Sequence, residues 1–377
     1  MQKDGKNILV IDIGSGSIGS AVITIGAKNT ITFSTRYELE FGEKVDFKFL
    51  LEKVNLGIKH CLEKIPRQVI SEIHIFMHSP WHTVNTTKVV LTEPKSFTLT
   101  EKLIEKASQT EIEAFMVNAK ANFPGYEELA IIESTVPEIK INGYVVDKPF
   151  GKKIKNCEFL ISIALAPKDI VEDITNICSS ILKIDKKNIK FHSATTSFTH
   201  LCSNLYGENN AIMIIDVGSE ITDISLVKNK ALSFGVSFAQ GSHDIIRKIS
   251  QIYNTNFGDS ESLAYTTFSG IGAKEVSTKI ETELVPISTA WQKSISESLA
   301  KISKMESVPR KVILICEDPS VAPWYIKTLS SDTFTQYLRT EGKFQIITPS
   351  VESLKTYINM DNLSYIDISL CLLCITV

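Results

Sequence analysis

Two short segments carry residue types suited to holding phosphate. Asp12-Ile-Gly14-Ser15-Gly16-Ser17 follows the apolar run that starts at Ile8, and Asp216-Val-Gly218-Ser219-Glu220-Ile-Thr222-Asp223 follows the run that starts at Ile212. In each, a Gly/Ser turn offers backbone N–H groups and hydroxyls to an anion with no large side chain in the way. In each, an Asp at the strand end (Asp12, Asp216) could hold Mg²⁺ through water, since Mg²⁺ keeps several of its waters. The two segments align at a constant offset of 204, with Asp216 on Asp12, Gly218 on Gly14 and Ser219 on Ser15. One such DxG reads as an ordinary strand and turn. Two copies with matched flanking strands read as two related lobes clamping a nucleotide triphosphate between facing hairpins.

Other chemistries fit less well. Gly14-x-Gly16-x-x-Gly19 has the dinucleotide spacing, with Glu38 and Glu40 downstream. That fingerprint needs a helix to follow, and here the strand-like Ser20–Ile25 follows, with Asp12 placed to repel phosphate unless a cation intervenes. No GxxxxGK[ST] is present, so a P-loop is excluded. Cys371-Leu-Leu-Cys374 has CxxC spacing but lies in an apolar run with no second pair, and reads as core thiols. His74, His78 and His82 are four apart, a metal face on a helix. The alternation over 73–78 and the break at Pro80 make them hydrogen-bonded or solvated strand histidines instead.

Composition narrows the class. The chain has 377 residues, 43% hydrophobic and 22% charged, with a net charge of −3. That is enough for two or three domains, too apolar for disorder, and without the basic excess of a nucleic-acid binder. Seven scattered cysteines, an odd count, read as reduced thiols of a cytoplasmic protein. Met1–Lys6 is too polar for a signal peptide, and no apolar stretch reaches the ~18–20 residues that span a bilayer.

The positioning elements follow from pattern. Strands are expected over 8–12, 20–25, 71–78 and 86–91, and helices over 46–64, 98–120 (capped by Thr98 or Thr100) and 168–183. Short strands are expected between 129 and 167 around the turns Asn142-Gly143 and Pro149-Phe-Gly151. The implied division is a first-lobe core at 1–70 and 168–207, an insert at 71–167, a second-lobe core at 208–250 and 308–377, and a small subdomain at 251–307. Ile287, Trp291, Ile295, Leu299 and Ile302 are spaced as a helix face, read as core and not as a filament contact.

With these residues in place, the chain resembles the actin-like ATPase superfamily of actin, chaperone ATPases and sugar kinases. The Asp12 segment is similar to its first phosphate motif and the Asp216 segment to its second, DxGxxxTD. Ala231–Ser242 is similar to the strand and glycine that follow. Phe97–Glu101, Asn142-Gly143, Pro149-Phe-Gly151 and Cys157–Ala164 resemble, in order, the small insert of FtsA-type division actins and of the pilus protein PilM. Asn256-Phe-Gly258-Asp259-Ser-Glu261 looks like a helix start of the same group, and Tyr365–Leu373 like its closing helix. The resemblance implies an α/β, two-lobed actin-like (ribonuclease H-like) fold with an α+β insert in the first lobe. It implies ATP and Mg²⁺ as cofactors, held by Gly14, Ser15, Gly16, Ser17, Gly218, Ser219, Thr222, Gly241 and Ser242, with Asp12 and Asp216 on the metal.

Three departures qualify this. The adenosine motif, normally a strand and two glycines, is here Val312–Cys316 followed by Glu317-Asp318-Pro319-Ser320. No Lys follows Glu261. No Gln or Glu stands at Phe191-His192-Ser193 to orient a water. The phosphate side thus reads as competent and the base side as eroded, with weak or absent adenine selectivity and slow or no hydrolysis. FtsA-type proteins imply a division scaffold that self-associates and binds a tubulin-like protein. PilM implies an adaptor for a membrane protein's cytoplasmic tail. A sugar or acid kinase, with Asp223 as base, is the third reading. The chain stops at Val377 without an amphipathic tail, so membrane attachment is expected to need a partner.

Overall fold

The run Asn7–Ile13 forms β1, and it is apolar on both faces, as a strand covered on both sides must be. The computed structural model describes residues 6–39, 47–207, 211–361, 363 and 367–377. After β1 come β2 (Ser17–Thr24), β3 (Thr30–Glu38), α1 (Phe47–Lys64) and β4 (Glu72–Met77). Next are β5 (Thr83–Thr98), α2 (Glu101–Ala119), β6 (Leu129–Ile141), β7 (Tyr144–Val145) and β8 (Lys153–Pro167). The first lobe then resumes with α3 (Lys168–Leu182), β9 (Ile189–Ser193) and α4 (Ala194–Tyr206). The second lobe holds β10 (Ile212–Val217), β11 (Thr222–Lys228), β12 (Ala231–Phe238), α5 (Ser242–Tyr253), α6 (Phe257–Phe268), α7 (Lys274–Glu283) and α8 (Val285–Met305). It ends with β13 (Lys311–Cys316), α9 (Ala322–Leu329), β14 (Gln345–Ile347), α10 (Val351–Leu354) and α11 (Ile368–Thr376).

The two lobes have one topology. Their sheets run β3-β2-β1-β4-β9 and β12-β11-β10-β13-β14. In each, the central strand pairs antiparallel with the next strand and parallel with a later one. Successive side chains of a strand face opposite sides, and this orders the layers. Leu9, Ile11 and Ile13 pack on α1 and α3, whereas Val10 joins α4 and α11. Ile212 and Ile214 join that same α4–α11 layer from the other side, whereas Met213 and Ile215 pack on α5, α8 and α9. The two helices α4 and α11 therefore lie between the sheets and tie the lobes together.

Two expected boundaries move. β4 pairs in parallel with β1, Asp12 opposite Phe76, so it belongs to the first-lobe sheet and not to an insert beginning at 71. The inserted antiparallel sheet, β5-β8-β6-β7, starts at Thr83. A short apolar strand reads the same in either setting, and only its partner decides. The helices over 251–307 form no separate body, because Ile280, Trp291, Ile295 and Leu299 share one core with Met213 and Leu314. That core also takes Ile302 and, half-buried, Ile287.

Local signals are realised. Thr100 caps α2 by accepting from the Leu103 amide. Asn142 and Gly143 both have positive φ, 51° and 83°, the two-residue turn that joins β6 to β7. Cys371 and Cys374 are buried in α11 as free thiols, and burial raises the Cys371 pKa to about 12. Tyr365 of the expected closing helix lies outside the described residues, as does Glu40.

Candidate functional site

Both glycine turns close with the same bond at the same offset. The Gly14 amide donates to Ser17 O at 3.1 Å, and the Gly218 amide to Ile221 O at 2.9 Å. The turns then meet directly. Ser15 Oγ accepts from the Glu220 amide at 3.0 Å, from one lobe to the other. A Cβ built on Gly16 would collide with Ser219 and His243, so only glycine permits this approach. The Trp81 indole, fully buried, braces the first turn by donating to Gly14 O at 2.7 Å.

Glu317, the first residue after β13, enters the space between the turns. Its Oε2 accepts from the Ser219 amide at 3.1 Å and from Ser219 Oγ at 3.0 Å, and its Oε1 accepts from the Ser17 hydroxyl. These are donors a phosphate would use. His78, the first residue after β4, lies between the two aspartates. Its Nε2 is 2.8 Å from Asp12 Oδ1 and its Nδ1 is 3.2 Å from Asp216 Oδ2. Burial works against a charged ring here, but Asp12 and then Asp216 outweigh it and raise the His78 pKa well above the usual histidine range. Arg36 reaches Asp12 at 2.6 Å and Glu317 at 3.4 Å, and pairs with Asp367. It gets there across Gly19, which is opposite both Arg36 and Asp12 in the sheet and puts no side chain in its path. Burial opposes ionisation of Asp12, yet His78 and Arg36 hold its carboxyl far below the ordinary value.

The expected site residues therefore divide. Gly14, Ser15, Gly16, Ser17, Gly218, Ser219, Asp12 and Asp216 are brought together. Thr222 is not available to a ligand: its hydroxyl donates to Gln240 O at 2.7 Å and accepts from the Trp291 indole at 3.2 Å. The α5 N-terminus is also spent. With Gly241 as its cap, the amides of Ser242 and His243 donate to Gly218 O and Ser219 O at 3.0 and 2.9 Å. Asp223 accepts from Ser79 at 2.8 Å and from Ser237, and burial, then Asp216, raises it to about 6. His192 stacks on His74 and Phe76, away from the turns. His82 bonds Ser193 at 2.9 Å.

On the expected adenosine side lies an open pocket of about 630 Å³. Its walls include Glu38, Glu261 and Asp318 together with Phe257 and Tyr265. Burial, then Asp318, raises the Glu261 pKa to about 7.

The sequence resemblance implies ATP with Mg²⁺, and the residues present do not fit that pair in this arrangement. The space left between the turns is about 20 Å³. That is room for about one water, against about 300–1,000 Å³ for a small-molecule pocket. Where the resemblance would put the anion stands the Glu317 carboxylate, and between the two aspartates stands the His78 imidazole. Among the described residues no group of three or more His, Cys, Asp or Glu side chains is arranged to hold a metal.

No protein-family model and no curated protein matches the chain. Solved structures do. A chain of a PilM–PilN type IV pilus biogenesis complex matches over 98% of this chain and 97% of its own, at TM-score 0.64 and 12% identity. The ethanolamine utilization protein EutJ from Carboxydothermus hydrogenoformans matches over 100% and 92%, at TM-score 0.45 and 9% identity. The activator of 2-hydroxyisocaproyl-CoA dehydratase from Clostridium difficile, solved with bound ADPNP, matches over 98% and 96%, at TM-score 0.37 and 11% identity. The first of these likenesses, at TM-score 0.64, shows the fold and leaves the activity open.

Proposed function

We propose that this chain, whose fold is that of the actin-like ATPases, works as a PilM-like cytoplasmic adaptor that binds a segment of a membrane-anchored protein. The observation that carries the reading is the surface of the insert. Tyr144 and Val145 on the edge strand β7 are 78% and 57% exposed, and Val136 and Phe150 beside them are also exposed. Val136, Val145 and Phe150 line a groove of about 550 Å³ whose rim carries the exposed carboxylates Glu101, Glu105 and Asp147. An unpaired strand edge with apolar flanks takes an extended peptide by strand addition, and an acidic rim selects a basic one. The PilM–PilN neighbour, matched end to end, pairs this fold with a protein partner. Among the described residues no helix is long and apolar enough to cross a membrane. Asp223, the base a kinase would use, is already held by the Ser79 and Ser237 hydroxyls, which favours a binding role over a kinase.

Fluorescence anisotropy with labelled cytoplasmic segments of single-span membrane proteins tests this. Tyr144→Asp and Phe150→Asp are expected to weaken binding at least tenfold while leaving the fold intact. Equal affinity in both variants would sink the reading. Selective binding of a tubulin-like protein instead, with self-association into filaments, would move the chain to the division scaffolds.

A further inference from the structure

The residues that fill the cleft occupy equivalent places in the two lobes. β4 runs parallel to β1 and ends at Met77, opposite Ile13, and the next residue, His78, donates its amide to Ile13 O at 3.1 Å. β13 runs parallel to β10 and ends at Cys316, opposite Val217, and the next residue, Glu317, donates its amide to Val217 O at 3.0 Å. Ile13 and Val217 stand 204 positions apart, the offset of the whole repeat. His78 and Glu317 are therefore the same position of a duplicated unit, carrying opposite functional groups. Each also spans the cleft. His78 touches Asp12 of its own lobe and Asp216 of the other. Glu317 touches Ser219 of its own lobe and Ser17 of the other.

We infer that His78 and Glu317, with Arg36, take the place of a metal–phosphate ligand as the bond between the lobes, so that this chain holds its cleft closed without nucleotide. The contacts that ATP·Mg²⁺ would make are made by side chains instead. A bound metal would lie against Asp12 and Asp216, and the imidazole ring does so instead. Phosphate oxygens would lie against the Ser17 hydroxyl and the Ser219 amide, and the Glu317 carboxylate does so instead. Arg36 joins the two halves, touching Asp12 and Glu317 at once. A polyphosphate could enter only by expelling Glu317 and would meet Glu38, Glu261 and Asp318 on the way. Mg²⁺, which demands oxygen ligands at about 2.0–2.1 Å and retains water, could enter only by expelling His78.

Isothermal titration and thermal unfolding of the wild-type protein with ATP and Mg²⁺ test the inference directly. The expected result is no saturable heat and no change in Tm at millimolar ATP and Mg²⁺. Saturable binding with a dissociation constant below about 0.1 mM would overturn it, since ordinary ligand linkage would then raise stability. The near-isosteric variants Glu317→Gln and His78→Gln form the second arm. Hydrogen exchange at the Ser219 and Glu220 amides, whose acceptors lie at the lobe junction, is expected to speed up at least tenfold in both. Exchange at the wild-type rate in both variants would refute the latch. The wild-type titration decides the question even where a variant fails to fold.

Discussion

Arg36→Met is the sharpest perturbation of the cleft. Methionine keeps most of the apolar stem and removes the charge and its donors. The Arg36 side chain is 9% exposed and pairs with Asp12, Asp367 and Glu317, which are 3%, 8% and 15% exposed. Removing one partner of a buried pair costs about 3–5 kcal/mol, because the remaining charge is left without compensation. Three carboxylates share this guanidinium, which argues for the upper end. Asp12 keeps His78 and Glu317 keeps its serine donors, which argues for the middle. The expected loss is about 4 kcal/mol. At about 2–4 °C per kcal/mol for large domains, Tm falls by about 8 °C or more.

Urea and thermal unfolding at pH 7.5 measure this loss, with Arg67→Met, at an exposed position, as a control expected within about 0.5 kcal/mol of wild type. The pH dependence gives an independent check. In the wild type the Asp12 pKa is depressed, so its contribution is present above the unfolded value and is lost only as pH falls through the folded one. Without Arg36 the Asp12 carboxyl takes up a proton more readily, and protonation removes the uncompensated charge. The Arg36→Met penalty therefore shrinks as pH falls toward 5. A loss under about 1 kcal/mol at pH 7.5, or a penalty that grows in acid, would refute the electrostatic reasoning.

Three further outcomes follow from the packing. Burial, then repulsion by His78, lowers the His82 pKa to about 4, so the native state stays neutral while the unfolded chain protonates near 6.5. Its contribution is intact above pH 6.5 and is lost as pH falls toward 4, by up to about 3 kcal/mol, and His82→Gln should flatten the urea midpoint over that window. Gly16→Ala should cost about 1–3 kcal/mol by forcing Ser219 and His243 apart, whereas Gly26→Ala, with its nearest neighbour at 3.4 Å, should be close to neutral in the same assay. Thiol titration should find six buried cysteines unreactive and the half-buried Cys316 slow, with all seven reacting in denaturant and no effect of a metal chelator.

The repeat was legible in the sequence because it is local. A Gly/Ser turn between two β-branched runs needs no distant partner to be read, and the 204 offset carries over to the mirrored sheets and the matched turn bonds. The filling of the cleft was not legible, because its residues are placed by pairing. His78 reaches Asp12 only because β4 runs parallel to β1, and nothing near His78 in the chain says so. The alternation over 73–78 reads only as a strand carrying hydrogen-bonded or solvated histidines, and does not name the carboxylates that His78 meets. Arg36 depends on the register of β3 against β2, which sets it opposite Gly19. Glu317 was visible as a departure, but in the wrong role. Standing where adenosine-side glycines belong, it reads as a fault of the base side. The parallel pairing of β13 with β10 turns it toward the phosphate side instead.

Once the carboxylate occupies that place, the other changes are tied to it. Buried donors left without acceptors cost about 1–3 kcal/mol each. Without an acceptor between the turns, the Ser219 amide and the Ser17 and Ser219 hydroxyls would be in that condition. Glu317 satisfies all three from one side chain. It also brings a charge into a region that already holds Asp12, Asp216 and Asp367, and buried charges persist only when paired. Arg36 answers the Glu317 side of that demand, and His78 the aspartate side. Among the described residues Arg36 is the cation paired with Glu317, so the buried carboxylate depends on it. The two glycine turns and the three side chains thus form one interdependent cluster: Glu317 fills the donors of the turns, and Arg36 and His78 lie against the carboxylates.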